Sequence, residues 1–352
     1  MRISDFDYEL PEELIAQHPL ERRDASRMLV VNRAEGRWRD GSFAEFPSEL
    51  REGDTVVVNN TRVFPARLVG RREPTGGRVE LLLVRRRGDF EGEAWEALAR
   101  PARRLDAGAR LIFGDGRLRA EVLSATEDGA GRVVRFDASG EFDALVEEFG
   151  RMPLPPYIKR DGDDLASRAE DRERYQTVYA AERGAIAAPT AGLHFTPRVF
   201  ESLRARGVRV VEITLHVGYG TFAPVREEDL SRHSVAPESF VIAEDAAREI
   251  NETRVRGGRV VAVGTTTVRA LESSADERGR VRAGRSEAAL TITPGYEFRA
   301  VDAMLTNFHL PRSSLLVLVS TFAGRELVLA AYRHAVEARY RFYSYGDCMF
   351  IV

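Results

Sequence analysis

Histidine is the side chain best placed to exchange a proton near neutral pH, and three of the six histidines in this 352-residue chain sit in polar turns rich in glycine, proline or threonine. His194 falls in Pro189-Thr190-Ala191-Gly192-Leu193-His194-Phe195-Thr196, and His216 in Thr214-Leu215-His216-Val217-Gly218-Tyr219-Gly220. His309 falls in Thr306-Asn307-Phe308-His309-Leu310-Pro311. Three such segments predict one shared acid–base site, with Thr190, Gly192, Gly218, Gly220 and Asn307 beside it as substrate contacts. Metal binding is not the reading, because no His-x-x-x-His spacing and no local cluster of histidine with carboxylates occurs.

A second kind of chemistry is offered by Val260-Val261-Ala262-Val263-Gly264-Thr265-Thr266-Thr267-Val268-Arg269. A strand ending in glycine and three hydroxyl residues at a helix start leaves free backbone N–H groups, aided by the helix dipole. Gly264, Thr265, Thr266 and Arg269 are therefore expected around a carboxylate or phosphate; the alternative is that the threonines only cap the helix. No Gly-Lys-Ser/Thr occurs, and no Gly-x-Gly-x-x-Gly, so a Walker phosphate loop and a dinucleotide fold are excluded. Asn59-Asn60-Thr61-Arg62 follows Val56-Val57-Val58; Asn60, Thr61 and Arg62 suit a base edge or a carboxylate, while turn formation explains the asparagines equally well. Tyr345, within Arg341-Phe342-Tyr343-Ser344-Tyr345-Gly346-Asp347, can stack on a nucleobase, although aromatic residues at that spacing more often close a core.

The elements that must position these residues follow from periodicity. Beyond Ala185 the pattern alternates between strand and helix: strands at Ala185 to Ala188, Val208 to Val217, Phe240 to Ala243, Arg259 to Val263 and Leu315 to Ser320. Helices are expected from Thr196-Pro197 to about Arg206, from Glu244, over Thr267 to Ser273, and over Arg325 to Arg339. That last helix would bury Leu327, Ala330, Ala331, His334 and Ala338. Between Arg62 and Phe136 the pattern changes to short strands (Val79 to Arg85, Trp95 to Ala99, Arg110 to Phe113, Arg117 to Leu123, Val133 to Phe136) broken by glycine turns, which suggests a small antiparallel barrel. Met152-Pro153-Leu154-Pro155-Pro156 marks its exit. The expected architecture is a mixed α/β (α+β) main domain, residues 1–61 and 153–352, interrupted by an inserted β-barrel domain, residues 62–152.

Composition bounds the rest. Hydrophobic residues make up 43% and charged residues 30%, enough for a sizeable core. The longest aliphatic runs fall far short of the roughly 20 residues of a membrane helix. An acidic start, with five carboxylates between Met1 and Glu13, is unlike a secretory signal, so a cytoplasmic location is expected. The lone cysteine, Cys348, excludes an internal disulfide and is read as inert. Net charge is −3, yet residues 62–119 carry 14 arginines against 8 acidic residues. Only Lys159 is lysine.

The strings quoted above, with Phe6-Asp7-Tyr8-Glu9-Leu10-Pro11, Asp24-Ala25-Ser26-Arg27, Tyr175-Gln176-Thr177-Val178-Tyr179 and Tyr345-Gly346-Asp347-Cys348-Met349, closely resemble the S-adenosylmethionine:tRNA ribosyltransferase-isomerases of queuosine biosynthesis, in the family's order and over essentially the whole chain. The resemblance implies S-adenosylmethionine as ribosyl donor and co-substrate, with no further cofactor or metal. The acceptor would be 7-aminomethyl-7-deazaguanine at the wobble position of tRNA, and the products epoxyqueuosine-tRNA, adenine and methionine. It also implies a monomer. On this reading His194, His216 and His309 include the acid and the base, Asp347 or Glu272 orients them, Gly264 to Thr267 holds the methionine carboxylate, and Asn60 to Arg62 hold nucleoside or RNA. Two departures are small: Ser313-Ser314 stands where the family usually has Ser-Thr, and Cys348 where it often has alanine. Two competing classes are a non-catalytic RNA-binding protein built on the arginine-rich barrel and an S-adenosylmethionine-dependent methyltransferase.

Overall fold

Most apolar runs bounded by turn residues become strands in the computed structural model, which describes residues 1–126, 129–160, 165–218, 225 and 227–352. Gly220, one of the expected contact residues, lies outside them. In chain order the strands are β1 (Arg27–Asn32), β2 (Arg37–Ser42), β3 (Thr55–Asn59), β4 (Thr61–Val63), β5 (Arg67–Glu73), β6 (Arg78–Arg86), β7 (Glu93–Arg100), β8 (Arg110–Phe113), β9 (Leu118–Ala125) and β10 (Gly131–Ala138). They continue with β11 (Glu182–Ala185), β12 (Arg209–Leu215), β13 (Glu238–Ile242), β14 (Val260–Val263), β15 (Gly284–Ala288), β16 (Ala303–Asn307) and β17 (Cys348–Ile351). The helices are α1 (Phe142–Phe149), α2 (Leu165–Arg174), α3 (Pro197–Ala205), α4 (Glu244–Val255), α5 (Thr265–Ser274), α6 (Ser314–Ala323) and α7 (Arg325–Glu337).

A nine-stranded mixed sheet runs in the order β15-β13-β12-β3-β14-β16-β17-β1-β2. Strands β12, β3, β14 and β16 are mutually parallel, while β17 is antiparallel to β16 and parallel to β1. The two faces are buried separately: along β3, Val57 joins one core cluster and Val56 and Val58 the other, as the two-residue period of a strand requires. The chain direction has a consequence for the site. The residues that follow Leu215, Asn59, Val263 and Asn307 emerge on one edge, together with those that precede Cys348 and Arg27, and ligand sites in α/β sheets form at the carboxyl ends of parallel strands.

Strands β5 to β10 close into a six-stranded barrel ordered β10-β7-β6-β5-β8-β9, with antiparallel neighbours and a core that includes Leu68, Leu81, Leu111, Val122 and Val134. Each strand expected from alternation is present, and two elements are additional. Strand β5 carries Gly70, where a Cβ would stand 2.3 Å from the Ile112 carbonyl oxygen, so alternation is broken where the backbones come closest. Helix α1 packs Leu145 and Val146 into the barrel core.

Sequence periodicity misassigned one element, displaced a second, since the strand expected at Ala185 to Ala188 lies at Glu182–Ala185 with only Ala185 in common, and turned the buried face of a third. Leu315 to Ser320 lies in α6, not in a strand: the Ser313 side chain caps that helix by accepting from the Leu316 N–H at 3.2 Å, and Leu316 to Ser320 are all buried, so no polar face betrays the helical period. In α7 the buried face is Val328, Leu329, Ala331, Tyr332 and Ala335; of the expected set only Ala331 belongs to it. By contrast Thr196 caps α3, accepting from the Val199 N–H, with proline in the first turn as expected. No single described helix is long and apolar enough to cross a membrane; α6 and α7 satisfy that test only as a pair bent by 116°.

Candidate active site

Five of the segments singled out in the sequence meet at the carboxyl edge, around a cleft of about 510 Å³ lined by Thr190, Gly264, Thr265, Thr266, Asn307 and His309 together with Tyr157, Thr306, Tyr343 and Ser344. Gly264 has φ +89°, a conformation that costs glycine little and other residues more. It lets the chain turn from β14 straight into α5. No side chain caps α5, and the Thr267 hydroxyl bonds back to the Val263 carbonyl at 2.7 Å. The first N–H groups of α5 are thus left to the cleft, and an unpaired helix N-terminus suits an anionic group.

His309 is held on three sides. Its N–H donates to the Tyr332 hydroxyl at 3.0 Å, its carbonyl accepts from the Tyr8 hydroxyl at 2.5 Å, and its Nε2 pairs with the Thr306 hydroxyl at 3.0 Å. Burial pushes its pKa down to about 3. His194 lies behind Asn307: its Nδ1 pairs with the Ser26 hydroxyl at 2.9 Å and its Nε2 meets Asn307 Nδ2 at 3.4 Å. Burial, followed by the charges of Arg23 and Arg341, lowers its pKa to about 4. Both rings are neutral near pH 7 and are therefore proton acceptors at rest. Asn307 Nδ2 also donates to the Tyr343 carbonyl at 3.0 Å, whereas its buried Oδ1 has no partner, leaving an acceptor for a ligand N–H or O–H.

The remaining expected residues are placed elsewhere or tied down. His216 is half-buried and does not line the cleft; its Nδ1 pairs with the Thr61 hydroxyl at 2.8 Å and its ring packs on Gly184, where a Cβ would lie 2.7 Å from Cε1. Burial lowers its pKa as well. Asn60 is engaged by Glu212 at 3.0 Å and by Thr214 at 2.7 Å, and Arg62 is exposed. Thus the asparagine pair works mainly as turn chemistry joining β3 to β12. Gly192 makes room for the Tyr179 hydroxyl, which would be 2.0 Å from a Cβ there.

Four expected site residues are engaged elsewhere and need correction on geometric grounds. Asp347 touches no histidine; it accepts from the backbone N–H groups of Arg27 and Arg341, both at 2.8 Å. Glu272 accepts from Tyr296 and from the N–H groups of Arg299, Ala300 and Val301 at 2.9 to 3.0 Å, organising a loop remote from the cleft lining. Arg269 is buried in an ion pair with Glu238 at 2.6 Å and donates to the carbonyls of Ala288 and Leu290; Gly218 donates to the same Glu238 at 3.0 Å. The partners that orient His194 are Ser26 and Asn307 instead. Ser26 was not singled out as a site residue, although Asp24-Ala25-Ser26-Arg27 shows a polar cluster at the start of a buried strand, which was the available signal. Tyr345 lies outside the cleft, in a second pocket beside His194.

Comparison with known proteins finds relatives over the whole chain. The family model described as queuosine biosynthesis protein matches residues 3–351. The chain belongs to that family. It is 53% identical over all 352 residues to the S-adenosylmethionine:tRNA ribosyltransferase-isomerase of Symbiobacterium thermophilum, and both chains are covered in full. The protein of the same name from Pelotomaculum thermopropionicum is 51% identical, again at full coverage of both. Among solved structures, the S-adenosylmethionine tRNA ribosyltransferase of Thermotoga maritima matches with a TM-score of 0.55 and 38% identity, over 99% of this chain and 100% of that one. A mixed α/β fold with a closed antiparallel barrel is thus common ground between sequence and structure.

Proposed function

We propose that this chain is an S-adenosylmethionine:tRNA ribosyltransferase-isomerase, moving and rearranging the ribosyl group of S-adenosylmethionine onto 7-aminomethyl-7-deazaguanine at the tRNA wobble position. Full-length similarity at 51–53% identity to proteins bearing that name supports the reaction class. The observation that carries the site is the convergence of His309, Asn307 and the uncapped N-terminus of α5 on one cleft.

The methionine carboxylate faces the N–H groups of Thr265 and Thr266, where the helix dipole favours a negative charge. The sulfonium acidifies the adjacent C5′ protons, and His309, facing the cleft, accepts one; because burial holds its pKa down to about 3, that transfer is uphill and depends on the acidification by the sulfonium. Departing adenine needs a proton, and the imidazolium so formed is a donor for it. The acceptor amine attacks as the free base, closure to the epoxide expels methionine, and the balance is one proton released with adenine and methionine. His194, held by Ser26, keeps Asn307 oriented so that its free Oδ1 meets a donor on the substrate.

The barrel insert, residues 62–152, extends the surface available to RNA, and the enzyme acts as a cytoplasmic monomer that requires no cofactor beyond its co-substrate. Incubation with S-adenosylmethionine and an anticodon stem-loop carrying the modified base tests the reading. Adenine in equal amount to an epoxycyclopentane gain on the RNA is expected. Formation of S-adenosylhomocysteine would indicate methyl transfer, and saturable RNA binding without turnover a binding protein.

A further inference from the structure

A pocket of about 280 Å³ lies on the other side of His194 from the cleft, with Leu20, Arg23, Ser26, Arg174 and Tyr345 in its wall. Ser344 lines both cavities. We infer that this pocket is a second subsite, in which Arg23, Arg174 and the Tyr345 hydroxyl hold one phosphodiester of the RNA substrate while the cleft holds S-adenosylmethionine. The inference rests on the reading given above and adds where the RNA backbone is gripped.

Three observations support it. First, the two guanidinium groups are drawn together without an acidic partner among the described residues: Arg23 donates to the carbonyls of Leu193 at 3.3 Å and Glu173 at 2.9 Å, and Arg174 to that of Leu20 at 2.6 Å. Burial and then the like charge of Arg174 push the Arg23 pKa down, so an anion between them would relieve a repulsion. Second, the Tyr345 hydroxyl is buried with no hydrogen-bond partner, and Tyr345 is 5% exposed; a buried unsatisfied hydroxyl costs stability unless something fills the vacancy. Third, two neighbouring carboxylates are already committed, and Glu173, whose charge partly offsets that of Arg174 on Arg23, makes no ion pair with Arg23 among the described residues. Asp171 is paired with Arg160 at 2.6 and 3.0 Å, and Asp347 accepts the N–H groups of Arg27 and Arg341.

A phosphodiester fits better than the methionine carboxylate, because the latter has the α5 N-terminus in the cleft. Arginine binds such a group through a planar fork. The geometry also couples substrates: burial chiefly, and then the charges of Arg23 and Arg341, hold the His194 pKa down, so an anion beside Arg23 lifts the smaller, electrostatic part of that depression once RNA is bound.

The test measures stem-loop RNA affinity by fluorescence anisotropy between about 50 and 200 mM salt, beside KM for S-adenosylmethionine from adenine release. Arg174→Gln is expected to weaken RNA binding about tenfold and to lower the salt slope by about 1. Tyr345→Phe is expected to weaken RNA binding about threefold while thermal stability stays level or rises, the opposite of a packing defect, and this variant keeps the test sound if Arg174→Gln fails to fold. KM for S-adenosylmethionine stays within twofold in both. Unchanged RNA affinity in both variants, with the wild type turning over, overturns the subsite alone. A raised KM for S-adenosylmethionine with unchanged RNA affinity overturns the phosphodiester in favour of the carboxylate. A wild-type protein that releases no adenine overturns the function itself.

Discussion

The barrel and the carboxyl edge of the sheet use the same residue, arginine, in opposite ways. On the barrel, Arg85 pairs with Glu96 at 2.9 Å, Arg135 with Glu121 at 2.8 Å, Arg87 with Asp89 at 2.6 Å, and Arg86 with Glu93. Most of these are cross-strand neighbours on a solvated face, where each pair contributes roughly 0.2–1 kcal/mol. At the edge, Arg23 and Arg174 meet carbonyls, and polar groups such as Asn307 Oδ1 and the Tyr345 hydroxyl are buried without partners. Charge that is already paired organises a surface, whereas charge and hydrogen-bonding capacity left open mark a place for a ligand. Within residues 62–119 the pairing is partial: Arg67, Arg85, Arg86, Arg87 and Arg117 have acidic partners, whereas Arg71, Arg72 and Arg78 line an open cleft of the barrel, so it is the paired share of that surplus that says least about function.

The largest effect that would sharpen this contrast is on the edge. His309→Gln keeps a hydrogen-bonding group near Thr306 but removes the proton acceptor, and kcat is expected to fall by about 10²–10⁴-fold with thermal stability little changed; near-normal adenine release would break the assignment. An intermediate effect is expected from pH. Both buried histidines have pKa values below their unfolded value, so the unfolded chain binds more protons as pH falls, and their contribution to stability, complete above about pH 6.5, is lost on the way down toward about 4 for His194 and about 3 for His309. Each ring contributes a slope of up to about 1.4 kcal/mol per pH unit in that window, measured as denaturant midpoints between pH 7 and 4.5. A flat profile would show that the rings are not held neutral. The smallest effect belongs to the barrel: the double variant Arg85→Gln, Arg86→Gln should lose under about 2 kcal/mol and change RNA affinity by less than twofold. A tenfold loss there would reverse the comparison.

Much of this was legible from residue types. Barrel strands announced themselves through alternation between glycine turns, and α3 through Thr196 and Pro197, because those signals are local. Gly264 with its threonines, Asn307 and His309 were singled out because their segments lie at the ends of buried strands, and they do line one cleft. What escaped depends on contacts distant in the chain. Glu272 and Arg269 read as reactive groups, but their partners, Ala300 and Glu238, are set by loop packing that no spacing encodes. His216 follows a parallel strand like the others, yet Thr61 and Gly184 turn it away from the cleft. Helix α6 had no polar side to display its period.

The position of β17 between β16 and β1 has a bearing on how the molecule is made. Met28 pairs with Cys348, two residues separated by most of the chain, and contacts of such long sequence separation slow folding. Until β17 is added, β1 and β16 present open edges to each other. The same late insertion draws Ser344 and Tyr345 up to His194, so catalytic competence and sheet closure arrive in one event. A truncated or stalled chain exposes sticky strand edges and lacks activity, which makes it a natural client for chaperones.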